Sequence, residues 1–340
     1  MARRRWKRIV GTTLLIILVL IIVGITFTIG WRPFIGPKTR ALTDRTIEAT
    51  PARLERGKYM VNAVYGCLAC HSERDPKVPG MPALPDKLGA GTVFGEGNEL
   101  PGRIIAPNLT PDKETGIGNW TDDTLARAIR EGIGHDGRAL FPLMPYQNYR
   151  AMPDEDLASV IAYLRTLAPV RNPLPQTEII FPVKYLIRSA PQPITESVPG
   201  PDMSTPEKRG EFLVRMSSCA DCHTPQDRGQ VKPGFEFAGG LLFTTPEATV
   251  MAANITPDPS GISYYDEDLF IQAIRTGKVK ARSLSPVMPW VFYRNMTDQD
   301  LKDVFAYLKT LKPVKHTVDN TEQPTKCKLC GIEHGGGNKN

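Results

Sequence analysis

Two short segments of this 340-residue chain place reactive side chains at a fixed spacing: Cys67-Leu68-Ala69-Cys70-His71 and Cys219-Ala220-Asp221-Cys222-His223. Two thiols one helical turn apart can each form a thioether with a haem vinyl group. The imidazole that follows then lies under the iron as its proximal ligand. Cysteine and histidine are scarce here, six and five residues, so two such matches are not an accident of composition. The competing chemistry is a pair of redox dithiols or half zinc sites in which the neighbouring histidine is incidental. The spacing therefore predicts two covalently bound haem c groups, on Cys67, Cys70 and His71 and on Cys219, Cys222 and His223.

A proximal histidine leaves one axial position open, and its occupant separates electron carriers from haem enzymes. Met144 and Met288 are the candidates. Each precedes a proline and an aromatic residue, in Leu143-Met144-Pro145-Tyr146 and Val287-Met288-Pro289-Trp290. Proline stiffens the loop that would present the thioether, and thioether ligation raises a haem potential while closing the iron to substrates. The alternative is that both methionines fill core gaps; their recurrence at matching positions favours ligation. Met60, Met152, Met216 and Met296 lie in or beside helices, and Met81 and Met251 have no counterpart in the other half. Asn108 and Asn254, each ahead of a Thr-Pro-Asp turn, either hold haem propionates or serve the turns themselves. Trp120, Tyr146, Tyr149, Trp290 and Tyr293 either line the haem pockets or pack the core.

The elements that must position these residues occur twice. Arg56-Gly57-Lys58-Tyr59 answers Arg209-Gly210-Glu211-Phe212, and Asn108-Leu109-Thr110-Pro111-Asp112 answers Asn254-Ile255-Thr256-Pro257-Asp258. The Met-Pro blocks follow, then Asp156-Leu157 to Leu167 against Asp300-Leu301 to Leu311. Blocks matched in the same order mean duplication. Amphipathic helices are predicted over 55–64 and 207–216, running into the cysteine motifs. Others start at Thr121, near Asp266, at Pro153 and at Thr297, where acidic first turns favour the helix dipole. The chain thus divides into modules at 52–170 and 206–315, a proline-rich linker over 171–205 and a tail over 316–340. Gly80–Gly102 reads as a Gly/Pro-rich loop whose length is unique to the first module.

Ahead of the modules, residues 9–29 carry no charge and are rich in Ile, Leu and Val. About 20 apolar residues span a bilayer, more than the apolar part of a cleaved signal peptide. Residues 9–30 therefore read as a transmembrane anchor, with a long cleaved signal as the alternative. The basic arm 1–8 stays on the cytoplasmic side. That puts both modules on the extracytoplasmic side of the membrane. The arm supplies +5 of the +6 net charge, so no basic footprint for nucleic acid remains.

Through the Cys-x-x-Cys-His motifs, the Asn-x-Thr-Pro-Asp turns and the Met-Pro-aromatic blocks, the chain resembles dihaem class-I cytochromes c. More narrowly it is similar to the cytochrome c subunits of bacterial membrane-bound alcohol, aldehyde and sugar-acid dehydrogenases. The resemblance covers roughly 52–315. It implies a mostly α fold of two tandem class-I cytochrome c domains after the transmembrane helix, one His/Met haem in each. It also implies single-electron transfer between a membrane dehydrogenase or respiratory complex and other cytochromes or a terminal oxidase, with no catalytic residue of the chain's own. Many such relatives carry three haem motifs; this chain has two. The competing function is a dihaem enzyme such as a peroxidase with one open haem, which two Met-Pro blocks argue against. Cys327-Lys328-Leu329-Cys330 lacks a following histidine, so it is not a third haem site. That pair could form a disulfide, stay as free thiols, or bind zinc with His334 and His316.

Overall fold

The first and last helices of each module cross at a glycine, and the rest of the module is arranged around that crossing. The computed structural model describes residues 2–95, 100–227, 229–244, 249–280 and 282–319, with short strands at 325–326, 333–334 and 337–338. Helix α1 (Ala2–Phe27) is long and apolar enough to cross a membrane. A single turn, α2 (Arg32–Ile35), follows it.

The first module opens with α3 (Pro51–Tyr59), earlier than the predicted residue 55. Thr50 caps it by accepting from the Arg53 amide, and Pro51 sits at its first position, where no amide donor is needed. The helix continues as a π turn over Met60–Val64 into α4 (Cys67–Cys70). Next come α5 (Asp122–Glu131), capped by Thr121, the turn α6 (Tyr146–Tyr149) and α7 (Asp154–Leu164). The short helix α8 (Val183–Leu186) lies in the linker. The second module repeats the plan with α9 (Pro206–Met216), α10 (Cys219–His223), α11 (Glu267–Thr276), α12 (Trp290–Tyr293) and α13 (Asp298–Thr310). Helices α3 and α7 pack on each other, as do α9 and α13.

At these crossings a Cβ on Gly57 would lie 2.0 Å from the Ser159 carbonyl oxygen, and one on Gly210 would lie 1.9 Å from that of Asp303. Only glycine admits such an approach. An arginine beside each glycine clamps the crossing. Arg56 forks onto Asp156 at 2.9 and 3.1 Å, and Arg209 onto Asp303 at 2.6 and 2.9 Å. The second clamp sits one helical turn later than the first, so Asp300, the counterpart of Asp156, instead accepts from Tyr59 of the first module.

That bond belongs to an interface that joins the modules into one apolar core. The Ser217 hydroxyl donates to the Val64 carbonyl at 2.8 Å. Asn148 donates to Ser218 and Asp221, each at 3.0 Å, and Arg74 donates to the Pro286 carbonyl at 3.1 Å. The loop expected over Gly80–Gly102 contains a strand. In an antiparallel sheet, β1 (Thr92–Gly95) pairs with β2 (Gly102–Ala106), which pairs in turn with β3 (Glu178–Ile179) from the linker. A hairpin of Leu242–Thr244 with Thr249–Met251 is its counterpart in the second module, so the feature is shared. Alternation of partly buried residues in these few positions is too short a pattern to mark a strand in sequence.

Candidate haem sites

Both cysteine motifs enter through a left-handed residue, Gly66 (φ 59°) and Ser218 (φ 56°). Serine adopts this region at a cost that glycine avoids, yet the two turns have the same shape. The thiols of Cys67 and Cys219 are pushed up to about 12 by burial, and those of Cys70 and Cys222 to about 11. A redox dithiol needs the opposite, a depressed thiol pKa, and neither pair forms a disulfide. Beyond burial, Cys222 is raised further by Asp221 and by Cys70 of the other module. The two attachment turns are therefore electrostatic neighbours.

The histidines are fixed from behind. His71 Nδ1 lies 2.8 Å from the Pro107 carbonyl, and His223 Nδ1 lies 2.7 Å from the Ala253 carbonyl. A carbonyl only accepts, so Nδ1 carries the proton and Nε2 keeps a lone pair for iron. Burial lowers the pKa of both rings and holds them neutral. One turn of helix with two protonated thiols and an imidazole of set tautomer suits covalent haem c.

Asn108 and Asn254 follow directly after those two carbonyls. Asn108 Oδ1 accepts from the Thr110 amide and hydroxyl at 2.8 and 2.7 Å, and its amide nitrogen donates to Thr115 and the Val170 carbonyl. Asn254 repeats this with Thr256, Ser260 and the Val314 carbonyl. Both side chains are engaged within the turn, so of the two sequence readings the structure supports the turn over the propionate. The turn in question carries the carbonyl that orients the histidine. Sequence placed the asparagines beside a turn but gave no sign of which ring that turn faces.

Met144 and Met288 are half-buried against the core, whereas Met60, Met152, Met216 and Met296 are fully packed inside it. The two Met-Pro turns share one geometry. Met144 N bonds Phe141 O and Met288 N bonds Ser285 O, both at 3.1 Å, and Pro145 and Pro289 have φ −80° with ψ 44° and 50°. The short helices that follow are tied to the haem turns. The Tyr149 hydroxyl donates to the Tyr65 carbonyl at 2.9 Å, and the Tyr293 hydroxyl to the Ser217 carbonyl at 2.8 Å. These carbonyls stand two residues before Cys67 and Cys219. Tyr149 and Tyr293 thus couple the methionine loop to the attachment turn, a role that the choice between pocket lining and packing had missed. Tyr146 and Trp290 lie where a Cβ on Gly132 or Gly277 would meet their rings, and Trp120 stacks on His135 at 4.4 Å.

His316 is buried, with Nδ1 2.8 Å from the Ala238 carbonyl. Asn172 makes the equivalent bond to Ala90 in the first module at 2.9 Å. His316 thereby fastens a loop, whatever the tail does. Cys327 and Cys330, and the side chain of His334, lie outside the described residues. Among the described residues no cluster of three or more His, Cys, Asp or Glu is placed to hold a bare metal ion.

Two helical modules, each with a haem-attachment turn, an oriented imidazole and a Met-Pro loop, define a protein built for covalent haem c. The cytochrome c family matches the chain twice, over residues 54–168 and 207–312, and the chain belongs to that family. It is 31% identical over 264 residues to a diheme cytochrome c-type protein of Cereibacter sphaeroides, covering 74% of this chain and 83% of that one. It is 32% identical over 309 residues to the fructose dehydrogenase cytochrome subunit of Gluconobacter japonicus, covering 85% and 58%. With the cytochrome c subunit of the quinone-linked alcohol dehydrogenase of Komagataeibacter europaeus it shares 29% over 293 residues, covering 81% and 59%. The chain thus spans less than two thirds of the length of either dehydrogenase subunit.

Proposed function

We propose that this chain is a membrane-anchored dihaem c-type cytochrome that passes single electrons from a membrane dehydrogenase to a downstream cytochrome or terminal oxidase. When bound, the haems supply one-electron redox chemistry. Cys67 and Cys70, and Cys219 and Cys222, would hold them covalently, and His71 with Met144 and His223 with Met288 would bind their irons. The observation that carries this reading is the twofold recurrence of an imidazole locked through Nδ1 in a module whose Met-Pro helix is tied by tyrosine to the same attachment turn. With both methionines as ligands the irons would leave no site for a substrate, which favours a carrier over a peroxidase. The relatives named for fructose and alcohol dehydrogenases support a dehydrogenase as donor. The proximity of Cys70 to Cys222 supports electron passage within the chain. Helix α1 would be the anchor, with Arg3, Arg4, Arg5, Lys7 and Arg8 retained in the cytoplasm and the modules in the periplasm.

The test is spectroscopic. The purified full chain should contain two haems that resist extraction. Met144→Ala and Met288→Ala should each remove about half of the methionine–iron charge-transfer absorbance and lower one of two midpoint potentials. An unchanged spectrum in either variant would assign the axial role to another residue.

A further inference from the structure

The linker between the modules is fastened to the foot of the membrane helix. Helix α8 and the turn Ile187–Ser189 pack on α2, which four residues separate from the end of α1. Arg188 donates to the Pro33 carbonyl at 3.0 Å, and its guanidinium sits 4.7 Å from the Tyr185 ring centre. Around this junction large apolar side chains face outward: Phe181 is 79% exposed, Ile35 68%, Ile180 and Phe34 58% each, and Leu186 42%. A water-facing cluster of this kind is unusual on a soluble surface. Segments 31–39 and 180–189 contain Arg32, Lys38, Lys184 and Arg188 but no Asp or Glu.

From this we propose that Ile180–Leu186 is a second membrane contact, seated in the outer interface of the bilayer beside α2 and facing anionic lipid headgroups. The inference rests on the reading of α1 as the anchor. Two observations choose lipid as the occupant. The patch is continuous with the point where α1 leaves the apolar layer. Its makeup of aromatic and aliphatic residues ringed by cations, with no anions, matches what headgroup and acyl boundaries bind. Lysine and arginine stems can lie along the apolar layer while their charges reach phosphate. The consequence concerns orientation. The linker is also built into the first module, through Ile180 N to the Pro101 carbonyl at 2.9 Å and through Ser197 to Asp154 at 2.6 Å. The anchor therefore sets how the first haem module stands on the membrane, where a loose tether would leave it free to turn.

The experiment uses the full, haem-loaded chain in vesicles of phosphatidylcholine and phosphatidylglycerol doped with a lipid that carries a photoactivated carbene source near its headgroup. Peptide mass spectrometry reads the labelled residues. Label is expected on 180–186 and on Phe34 and Ile35, in addition to 9–29. It should weaken on 180–186 when phosphatidylglycerol is omitted, and fall to the background of helix α9 in the Ile180→Ser, Phe181→Ser, Leu186→Ser variant with haem content unchanged. Label that stops at residue 35 while 9–29 is labelled would overturn this inference and leave the anchor intact. No label on 9–29 would overturn the anchor reading itself. A linker that stays unlabelled in vesicles but gains protection from deuterium exchange when a dehydrogenase binds would overturn the lipid assignment in favour of a protein-docking face.

Discussion

Replacing Gly57 with alanine tests the helix crossing on which each haem module is built. The added Cβ would meet the Ser159 carbonyl oxygen at 2.0 Å, its carbon at 2.6 Å and the Tyr163 Cβ at 2.8 Å. Carbon–oxygen contacts close at about 3.3 Å, so the helices must part by about 1.3 Å. The obstacle is backbone, so no rotamer change relieves it. Parting the helices also strains the Arg56–Asp156 fork across the same crossing. Overpacking of a tight site costs about 1–3 kcal/mol, more where backbone must move, and this site belongs at the upper end, about 3 kcal/mol. For a module of this size that lowers Tm by about 12 °C. Gly210→Ala, with 1.9 Å to the Asp303 carbonyl, should do the same in the second module. Thermal unfolding followed by the methionine–iron absorbance, in detergent-solubilised full chain, reads both. The opposite sign is available. Alanine in an unobstructed helix is more stable than glycine by about 0.5–1 kcal/mol. A Tm equal to or above that of the parent would show that the crossing is looser than described.

Tyr149→Phe and Tyr293→Phe should each leave a buried carbonyl without its donor, at a cost of about 1–2 kcal/mol. The charge-transfer absorbance of one module should then bleach at a lower temperature while haem content is unchanged; an unaltered bleaching curve would remove tyrosine from the coupling of methionine loop to attachment turn. Arg40, from the segment joining the anchor to the first module, forks onto Asp123 at 2.7 and 2.8 Å and reaches Glu131 at 2.8 Å, both carboxylates being buried. Arg40→Ala should destabilise the chain by about 3–5 kcal/mol. Its pH dependence follows from the carboxyls. Burial opposes ionisation of Asp123, but the Arg40 bonds together with the Thr43 amide outweigh it and hold the pKa below the ordinary value. In the parent that stabilisation is present above the unfolded carboxyl pKa and is lost only as pH falls through the lower, folded one. Without Arg40, Asp123 keeps the Thr43 amide and Arg45, but Glu131, which burial already raises, loses the partner that lowers it and rises further, so the variant should be weakest at neutral pH and recover on mild acidification. Denaturant midpoints at several pH values check this, and a gap between parent and variant that does not narrow below neutrality would refute it.

Features that depend on neighbours along the chain were legible before any fold was known. The spacing from Cys67 to His71 and from Cys219 to His223 points to haem attachment because two thiols and an imidazole fall within one helical turn. Helix starts at Thr121 and Thr297 were legible because a cap and its amide lie three residues apart. The long apolar helix α1 was legible from an uncharged run alone, and the duplication from blocks in the same order. What the tertiary structure decided are pairings between residues about a hundred positions apart, which no local pattern records. Gly57 reads as an ordinary helix glycine until Ser159 is laid against it. Arg56 and Arg209 look interchangeable until their partners, Asp156 and Asp303, prove to lie one helical turn apart, releasing Asp300 for Tyr59 of the other module. Asn108 and Asn254 could be placed at turns, but only the fold brings the carbonyls ahead of them to the histidine rings. The proline-rich linker read as a strip on the surface, and folding made it a strand, a helix and a seat against α2. Spacing along the chain fixes the chemistry of each haem site; contact across it fixes how the sites are held, joined and oriented.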